Sequence, residues 1–404
     1  MKQAPALLSN RNFLLLWLAS IVSNFALAVA MLAETWLVIN TLGAKEQLGL
    51  VMIAGSVPRI LLMAVGGVLA DRIKRSHIIL ASVGLRVLLL FAMIPLLAAG
   101  KISMGIMIVF ALIYGALDAF FWPARDALVP NIVADNDLTR ANSIMLTTNQ
   151  IGLVFGPVLG GAMLALFSYE VVFALTGIML ALGLIAIAMI HEPALVAGRV
   201  RFNMLAELKE GVQYAIQTPV LRALMLVYAA ANLLFMGPLG LGIPIIVTDL
   251  LQGNASTLSF MQSAFAAGMV LGGLLLTLYP PSKKRLLMIT VVIAIEGLLL
   301  ATLALANWLP LALALQVLIG LGVAANNIPM MSLIQHYTER QKLGRIMSLN
   351  SMASMGLAPL SYALVTGLFS MHIGIEWVLP VFGLLLAVMM GLMTLKMKVI
   401  REID

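Results

Sequence analysis

Long apolar runs separated by short charged turns dominate the sequence. Twelve of them reach the length that a bilayer demands, and they cover about 12–39, 48–70, 77–99, 103–125, 141–167, 171–190, 221–248, 258–279, 286–306, 309–334, 346–370 and 375–397. A helix needs roughly 20 apolar residues to cross the hydrocarbon core. The runs are continuous rather than alternating, which predicts helices and not the strands of a membrane barrel. The longest polar stretch, His191 to Pro219, separates the sixth run from the seventh. Within it Phe202–Val212 reads as an amphipathic surface helix: Leu205, Leu208 and Val212 share one face, and Glu207 and Glu210 lie elsewhere. The pattern predicts an N-terminal six-helix bundle (1–190), a linker with the surface helix (191–220) and a C-terminal six-helix bundle (221–404).

The halves read as repeats, as transporter halves often do. Pro123 in the fourth span corresponds to Pro329 in the tenth. Arg140-Ala141-Asn142-Ser143 before the fifth span resembles Arg345-Ile346-Met347-Ser348 before the eleventh, and Gly156-Pro157 resembles Ala358-Pro359. The step from Arg75 to Arg86 equals that from Arg285 to Glu296.

Composition agrees with the pattern: 62% of residues are hydrophobic and 10% charged, with a mean hydropathy of +1.08. That composition predicts an all-α polytopic membrane protein, because helices or closed barrels are the structures that satisfy a backbone in lipid. The net charge of +7 would suit a nucleic-acid binder, but its distribution points elsewhere. The predicted topology puts 20 of the 24 Lys and Arg in one set of loops and tails, leaving Lys45 and Lys101 opposite and Arg59 and Arg86 inside spans. Basic loops mark the cytoplasmic side, so both termini are expected there, in a bacterial inner membrane. The first run is too long for a signal sequence and lacks a cleavage site, so it reads as a retained span. With no Cys, disulfides and thiolate metal sites are excluded. The four His are scattered and there is no Gly-rich phosphate loop, so no metal, no cofactor and no enzyme activity are expected.

Two motifs sharpen this picture. The turn between the second and third spans reads Gly67-Val68-Leu69-Ala70-Asp71-Arg72-Ile73-Lys74-Arg75. The fifth span carries Gly152-Leu153-Val154-Phe155-Gly156-Pro157-Val158-Leu159-Gly160-Gly161, a stripe of small residues with a proline that permits a bend. Gly268 and Gly272 make a similar stripe in the eighth span, expected to be its partner across the halves. The turn resembles the loop signature of the major facilitator superfamily, with Lys74 in place of its usual Gly and Ser76 in place of a second base. The fifth span resembles that family's antiporter motif. Glu207-Leu208-Lys209-Glu210-Gly211-Val212, Pro219–Leu224 and Phe121-Trp122-Pro123-Ala124 resemble the branch with macrolide-type drug exporters and the enterobactin exporter. The resemblance implies two pseudo-symmetric bundles, with the first, fourth, seventh and tenth spans lining a cavity that opens alternately to each side. It also implies a gating loop of Gly67, Asp71, Arg72 and Arg75, latched by Asp126 at the end of the fourth span.

Charges within hydrocarbon cost about 2.5–3.5 kcal/mol or more each at the membrane centre. Five lie well inside spans: Glu34, Arg59, Arg86, Asp118 and Glu296. Helical rise puts Arg86 and Asp118 at similar depth, with Arg59 in reach of Asp118 if their helices touch. Such a cluster is either a buried ion pair that fixes packing or a proton-sensitive network. Glu34 shares a face with Asn24 and Met31, and it either lines the cavity or reaches the outer headgroups. Glu296 has no basic partner in its half; it suits a structural or lipid-facing role and ranks third, after Asp118 and Glu34, among the candidates for proton coupling. The other expected cavity residues are Tyr114, Asn232, Phe235, Met236, Gln316, Asn326, Asn327 and Met331. An apolar, Met-rich wall with a few amides suits amphipathic substrates. The expectation is proton-coupled efflux of a drug or siderophore by a monomer, the alternative being a lipid, lysolipid or metabolite carrier of the same fold.

Overall fold

The computed structural model describes residues 7–193, 204–339 and 342–402, without the side chains at 64, 68, 71, 135, 204–209, 344, 345, 348 and 351–355. The side chains of Asp71, Leu205, Glu207 and Leu208, and the whole of Phe202 and Asn203, therefore lie outside the described residues. Six helices come first: α1 (Arg11–Trp36), α2 (Leu48–Arg72), α3 (Arg75–Ala98), α4 (Met104–Ile132), α5 (Leu138–Leu166) and α6 (Tyr169–Ala188). The amphipathic α7 (Met204–Gln217) follows. Then come α8 (Pro219–Asp249), α9 (Ala255–Leu278), α10 (Arg285–Leu303), α11 (Leu309–His336), α12 (Leu343–Ser370), α13 (Ile375–Lys396) and the short α14 (Lys398–Glu402).

The predicted spans map one to one onto α1–α6 and α8–α13, which run from 19 residues in α10 to 31 in α8. Eleven of the helices are long and apolar enough, over described residues, to cross a membrane, and α12 adds the apolar stretch Gly356–Ser370. The largest departure is α4, which continues seven residues past the expected end at 125, through Pro123 and Pro130, to Ile132. Arg125 and Asp126 pair with each other within it.

The chain forms two compact units, residues 1–199 with 255–263, and residues 200–254 with 264–404. In the first, α1 packs on α5 and α6, α2 on α4, and α3 on α4 and α6. In the second, α8 packs on α12 and α13, and α10 on α11 and α13. Four of those pairings correspond helix for helix, as the repeat requires. A fifth is carried by backbone contact: a Cβ on Gly115 of α4 would strike Gly55 O of α2, and a Cβ on Gly320 of α11 would strike Phe265 O of α9.

The glycine stripes pack differently from expectation. Gly152 and Gly160 of α5 rest on α1, where an added Cβ would come within 2.8 Å of Asn24 and 3.0 Å of Leu32. Gly268 and Gly272 of α9 rest on the Val317 and Leu321 carbonyls of α11. Each stripe thus serves a helix pair of its own unit. Gly161 alone meets α9, at Ser259 and Ala255, in the short segment that groups with the first unit.

Candidate functional site

The first unit holds a buried charged cluster centred on α4. Asp118 (2% exposed) faces Arg86 of α3 (1% exposed) and Arg59 of α2. Arg86 NH1 lies 3.1 Å from Asp118 Oδ1, and Arg59 Nε lies 3.2 Å from Oδ2. The Trp122 indole, one turn further along α4, donates to Oδ2 at 3.1 Å. Arg86 is held on every side. Its NH2 donates to Ser82 Oγ at 3.1 Å, and that hydroxyl donates to Leu117 O at 2.8 Å. Its guanidinium lies over the rings of Phe121 and Tyr114, 4.9 and 5.6 Å from their centroids. Buried charges persist where partners and hydrogen bonds compensate their desolvation. Here one carboxylate serves two cations, so any change at Asp118 is felt by α2, α3 and α4 together.

The network continues down α4. Arg125 stacks 4.3 Å from the Trp122 centroid and donates through Nε and NH2 to Asp126 at 2.9 and 2.6 Å. Its NH1 reaches Asn149 Oδ1 of α5 at 3.2 Å, and the same oxygen accepts from Asn24 Nδ2 of α1 at 2.9 Å. Asn24, expected as a cavity residue, is thereby engaged at the α1–α5 contact. In the opposite direction, Glu34 Oε1 and Tyr114 Oη are buried with no hydrogen-bond partner among the described residues. Met31 is half exposed.

The second unit gathers different chemistry. Glu296 of α10 (2% exposed) accepts a 2.6 Å hydrogen bond from Asn326 Nδ2 of α11. Its side chain occupies space left by Gly322, where a Cβ would come within 2.8 Å of Glu296 Cγ. Asn326, expected in the cavity, instead faces α10. Gln316 is fully buried with both amide atoms unpaired among the described residues. Asn232 is buried and turns back to Tyr228 O of its own helix. Phe235 is buried, Met236 and Met331 are about one-third exposed, and Asn327 is intermediate.

The gating loop departs from the expected latch. Arg75 NH1 lies 3.7 Å from Glu192 Oε1, and Asp126 is bound to Arg125, with no ion pair from Asp126 to the loop among the described residues. Glu192 also accepts from Ser76 N and Ser76 Oγ at 2.9 and 2.8 Å and from Arg75 N at 3.2 Å. The Arg75 and Ser76 N–H groups are orphan amides of the first turn of α3, which favour a negative partner. Burial works to raise the Glu192 pKa, but the Ser76 and Arg75 hydrogen bonds and the Arg75 charge outweigh it and hold the carboxyl below its usual range. Glu192 was not expected as a functional residue. The available signal was a single acid, in His191-Glu192-Pro193, immediately after the sixth span. Gly67 has open space where a side chain would stand, and Arg72 is exposed.

The sequence profile of the Major Facilitator Superfamily matches residues 16–295 and 224–401. The chain belongs to that superfamily. It is 26% identical over 381 residues to macrolide efflux protein A of Streptococcus pyogenes, covering 90% of this chain and 91% of that one. It is also 26% identical over 368 residues to the multidrug efflux pump Tap of Mycolicibacterium fortuitum, covering 87% of each. Among solved structures, a bacterial homolog of the human lysosomal transporter Spinster, inward-facing and unoccupied, aligns with a TM-score of 0.69 at 15% identity over 95% of each chain. A bacterial homologue of the iron transporter ferroportin, inward-facing, aligns at 0.71 and 16% identity over 96% of this chain and 100% of that one. At such identities the structural likeness speaks for the fold alone. The protein is an integral membrane transporter of the major facilitator fold, with twelve helices in two six-helix halves.

Proposed function

We propose that this transporter expels an amphipathic small molecule from a bacterial cell by alternating access, driven by protons entering across the inner membrane. The observation that carries the coupling is the single buried carboxylate Asp118 shared by Arg59 and Arg86. Protonation would cancel the only negative charge in that cluster and leave two like charges facing each other, so the cluster has two states of different internal repulsion. Glu34, with Oε1 buried and without a hydrogen-bond partner among the described residues, is the second proton acceptor in this reading. Efflux as the direction is supported by the macrolide and multidrug efflux relatives and by the fifth-span motif.

Of the residues expected in a cavity, Met31 and Met331 keep apolar surface exposed, whereas Tyr114 and Gln316 are buried in their own units. Asn326 is left out because Glu296 occupies its amide. Glu296 serves packing of α10 on α11. Both termini are assigned to the cytoplasm on the distribution of Lys and Arg. The gating loop and Glu192 then lie on that side, with Glu192 standing where the latch to Asp126 was expected.

The test is transport by the purified chain in liposomes, with and without an imposed pH gradient, using a macrolide and a fluorescent lipophilic cation as probes. Gradient-dependent movement of either probe, lost in Asp118→Asn, is expected. Movement of both that ignores the gradient removes the coupling. Movement of neither, with a spin-labelled lysolipid carried instead, replaces the substrate class by the lipid carrier.

A further inference from the structure

We propose that Trp122 is a positioning residue that passes a change at Asp118 on to Arg125, and thereby to the contact between α1 and α5. The proposal rests on the proton-coupled function above. Trp122 is the shared neighbour of two charged groups. Its N–H donates to Asp118 Oδ2 at 3.1 Å, and its ring lies 4.3 Å beneath the Arg125 guanidinium. Arg125 in turn binds Asn149, which binds Asn24. One indole thus stands between the α2–α3–α4 cluster and the polar join of α4 to α5 and α1.

The charged and titratable groups around Asp118 are Arg59 from α2, Arg86 from α3 and Tyr114 from α4, with Glu34 of α1 within electrostatic reach of Tyr114. Asp118 Oδ1 accepts from Arg86, and Oδ2 faces both Arg59 Nε and the Trp122 N–H. A proton arriving on the carboxylate adds a donor where donors already converge, so one of them must turn away. A hydrogen bond with an ionised partner is about twice as strong as a neutral–neutral one, and once Asp118 is protonated the arginines remain ionised donors while the indole is left with a neutral–neutral bond. The neutral indole is therefore the donor released. Its ring cannot swing without leaving the face of Arg125, and a cation over an indole face in a desolvated site is held to that face. Arg125 then shifts against Asn149, and the α1–α5 amide contact feels the proton. Arg59 and Arg86 lack this property, because neither touches α5 or α1 in any hydrogen bond or ion pair given by the described residues.

The test uses the full chain in liposomes, with a lipophilic cationic dye as transported probe. A protein with Trp17, Trp36, Trp308 and Trp377 replaced by Phe reports Trp122 emission alone. The expected result is an emission change with pH that has the midpoint of the pH dependence of dye transport and disappears in Asp118→Asn. Trp122→Phe keeps a ring for Arg125 but removes the donor, so protonation becomes easier and the transport profile moves toward alkaline pH by about one unit or more. If the four-fold variant does not fold, the difference in emission between the intact chain and Trp122→Phe reports the same signal. Emission that stays flat, or a Trp122→Phe profile that stays in place, while the same liposomes transport dye on a pH gradient, overturns the role of Trp122 and leaves proton coupling standing. Transport indifferent to the gradient overturns the proton reading, and this proposal with it.

Discussion

The α3–α4 contact of the first unit and the α10–α11 contact of the second are counterparts in the repeat, yet they bury opposite kinds of chemistry. Arg86 and Glu296 stand at equal distances from Arg75 and Arg285, the first residues of α3 and α10. Around Arg86 lies a cluster of full charges, two guanidinium groups on one carboxylate. Around Glu296 lies one acid with one amide, and no ion pair to Glu296 is found among the described residues. The same helix pair has thus been filled in one half with charges that depend on each other and in the other with a polar pair that does not. Interdependent charges give a cluster two states separated by one proton. A lone acid held by an amide gives a packing contact. The difference supports the proposal that coupling resides in the first unit, on physical grounds independent of any motif.

The comparison breaks most visibly at Asp118. Asp118→Ala leaves the buried Arg86 and the one-third exposed Arg59 without their counter-charge, and removing one partner of a buried ion pair such as Arg86–Asp118 costs about 3–5 kcal/mol. Thermal unfolding in detergent should fall by an amount larger than for any other variant here, and transport should vanish. Asp118→Asn preserves shape and one acceptor, so it should fold better than the Ala variant while transport stays lost. An Asp118→Ala protein as stable as the parent would show that solvent already screens the two arginines. Next in size is Gly322→Ala. Its Cβ would come within 2.8 Å of Glu296 Cγ and Oε1, and crowding of that kind in a packed interior costs about 1–3 kcal/mol. Combining it with Glu296→Ala should restore most of the loss, which a double-mutant cycle measures.

Much of the fold was legible because a bilayer imposes one length on every span and tolerates few charges inside it. The second span, expected at 48–70, is α2 at Leu48–Arg72, and the last, expected at 375–397, is α13 at Ile375–Lys396. The Arg59–Asp118–Arg86 cluster was legible for the same reason: five charges in apolar runs leave few ways to pair. What failed depended on knowing which helices touch. Gly268 and Gly272 announce a close approach, but glycine carries no signal for its partner, which proved to be α11. Glu192 and Arg75 are 117 positions apart and meet because α6 packs along α3. No local pattern encodes that meeting. Asn326 was expected in the cavity, yet it stands one turn from Gly322 on α11, and that shared face meets Glu296.

The helix starts extend the comparison. Glu192 caps the first turn of α3, whereas Lys284, left-handed at φ 52°, precedes α10 and gives no capping hydrogen bond from its side chain. Glu192→Gln should therefore cost about 1 kcal/mol, the worth of a helix-capping acceptor. Its pH dependence has a definite sign. The folded-state carboxyl is held below its usual range, so its contribution is complete above the unfolded value, near 4.3, and fades as pH falls through the folded one. The unfolding midpoints of parent and variant should differ at neutral pH and converge below about pH 4. Parallel curves down to pH 3 would remove the cap.

The smallest effect is expected at Glu296, and it decides whether the two contacts differ in kind. Glu296→Gln keeps the shape beside Gly322 and an oxygen to accept from Asn326, while removing any charge the acid can carry. A packing contact should barely register this exchange, with a stability change within about 1 kcal/mol and transport at the parental rate and pH profile. If Glu296 instead carries protons in the transport cycle, Glu296→Gln should resemble Asp118→Asn and flatten the pH dependence. That outcome would make the halves alike, each with its own titrating centre between the same pair of helices. A silent Glu296→Gln beside a dead Asp118→Asn would mean that the repeat has kept its helix pairs and moved the proton chemistry into one of them.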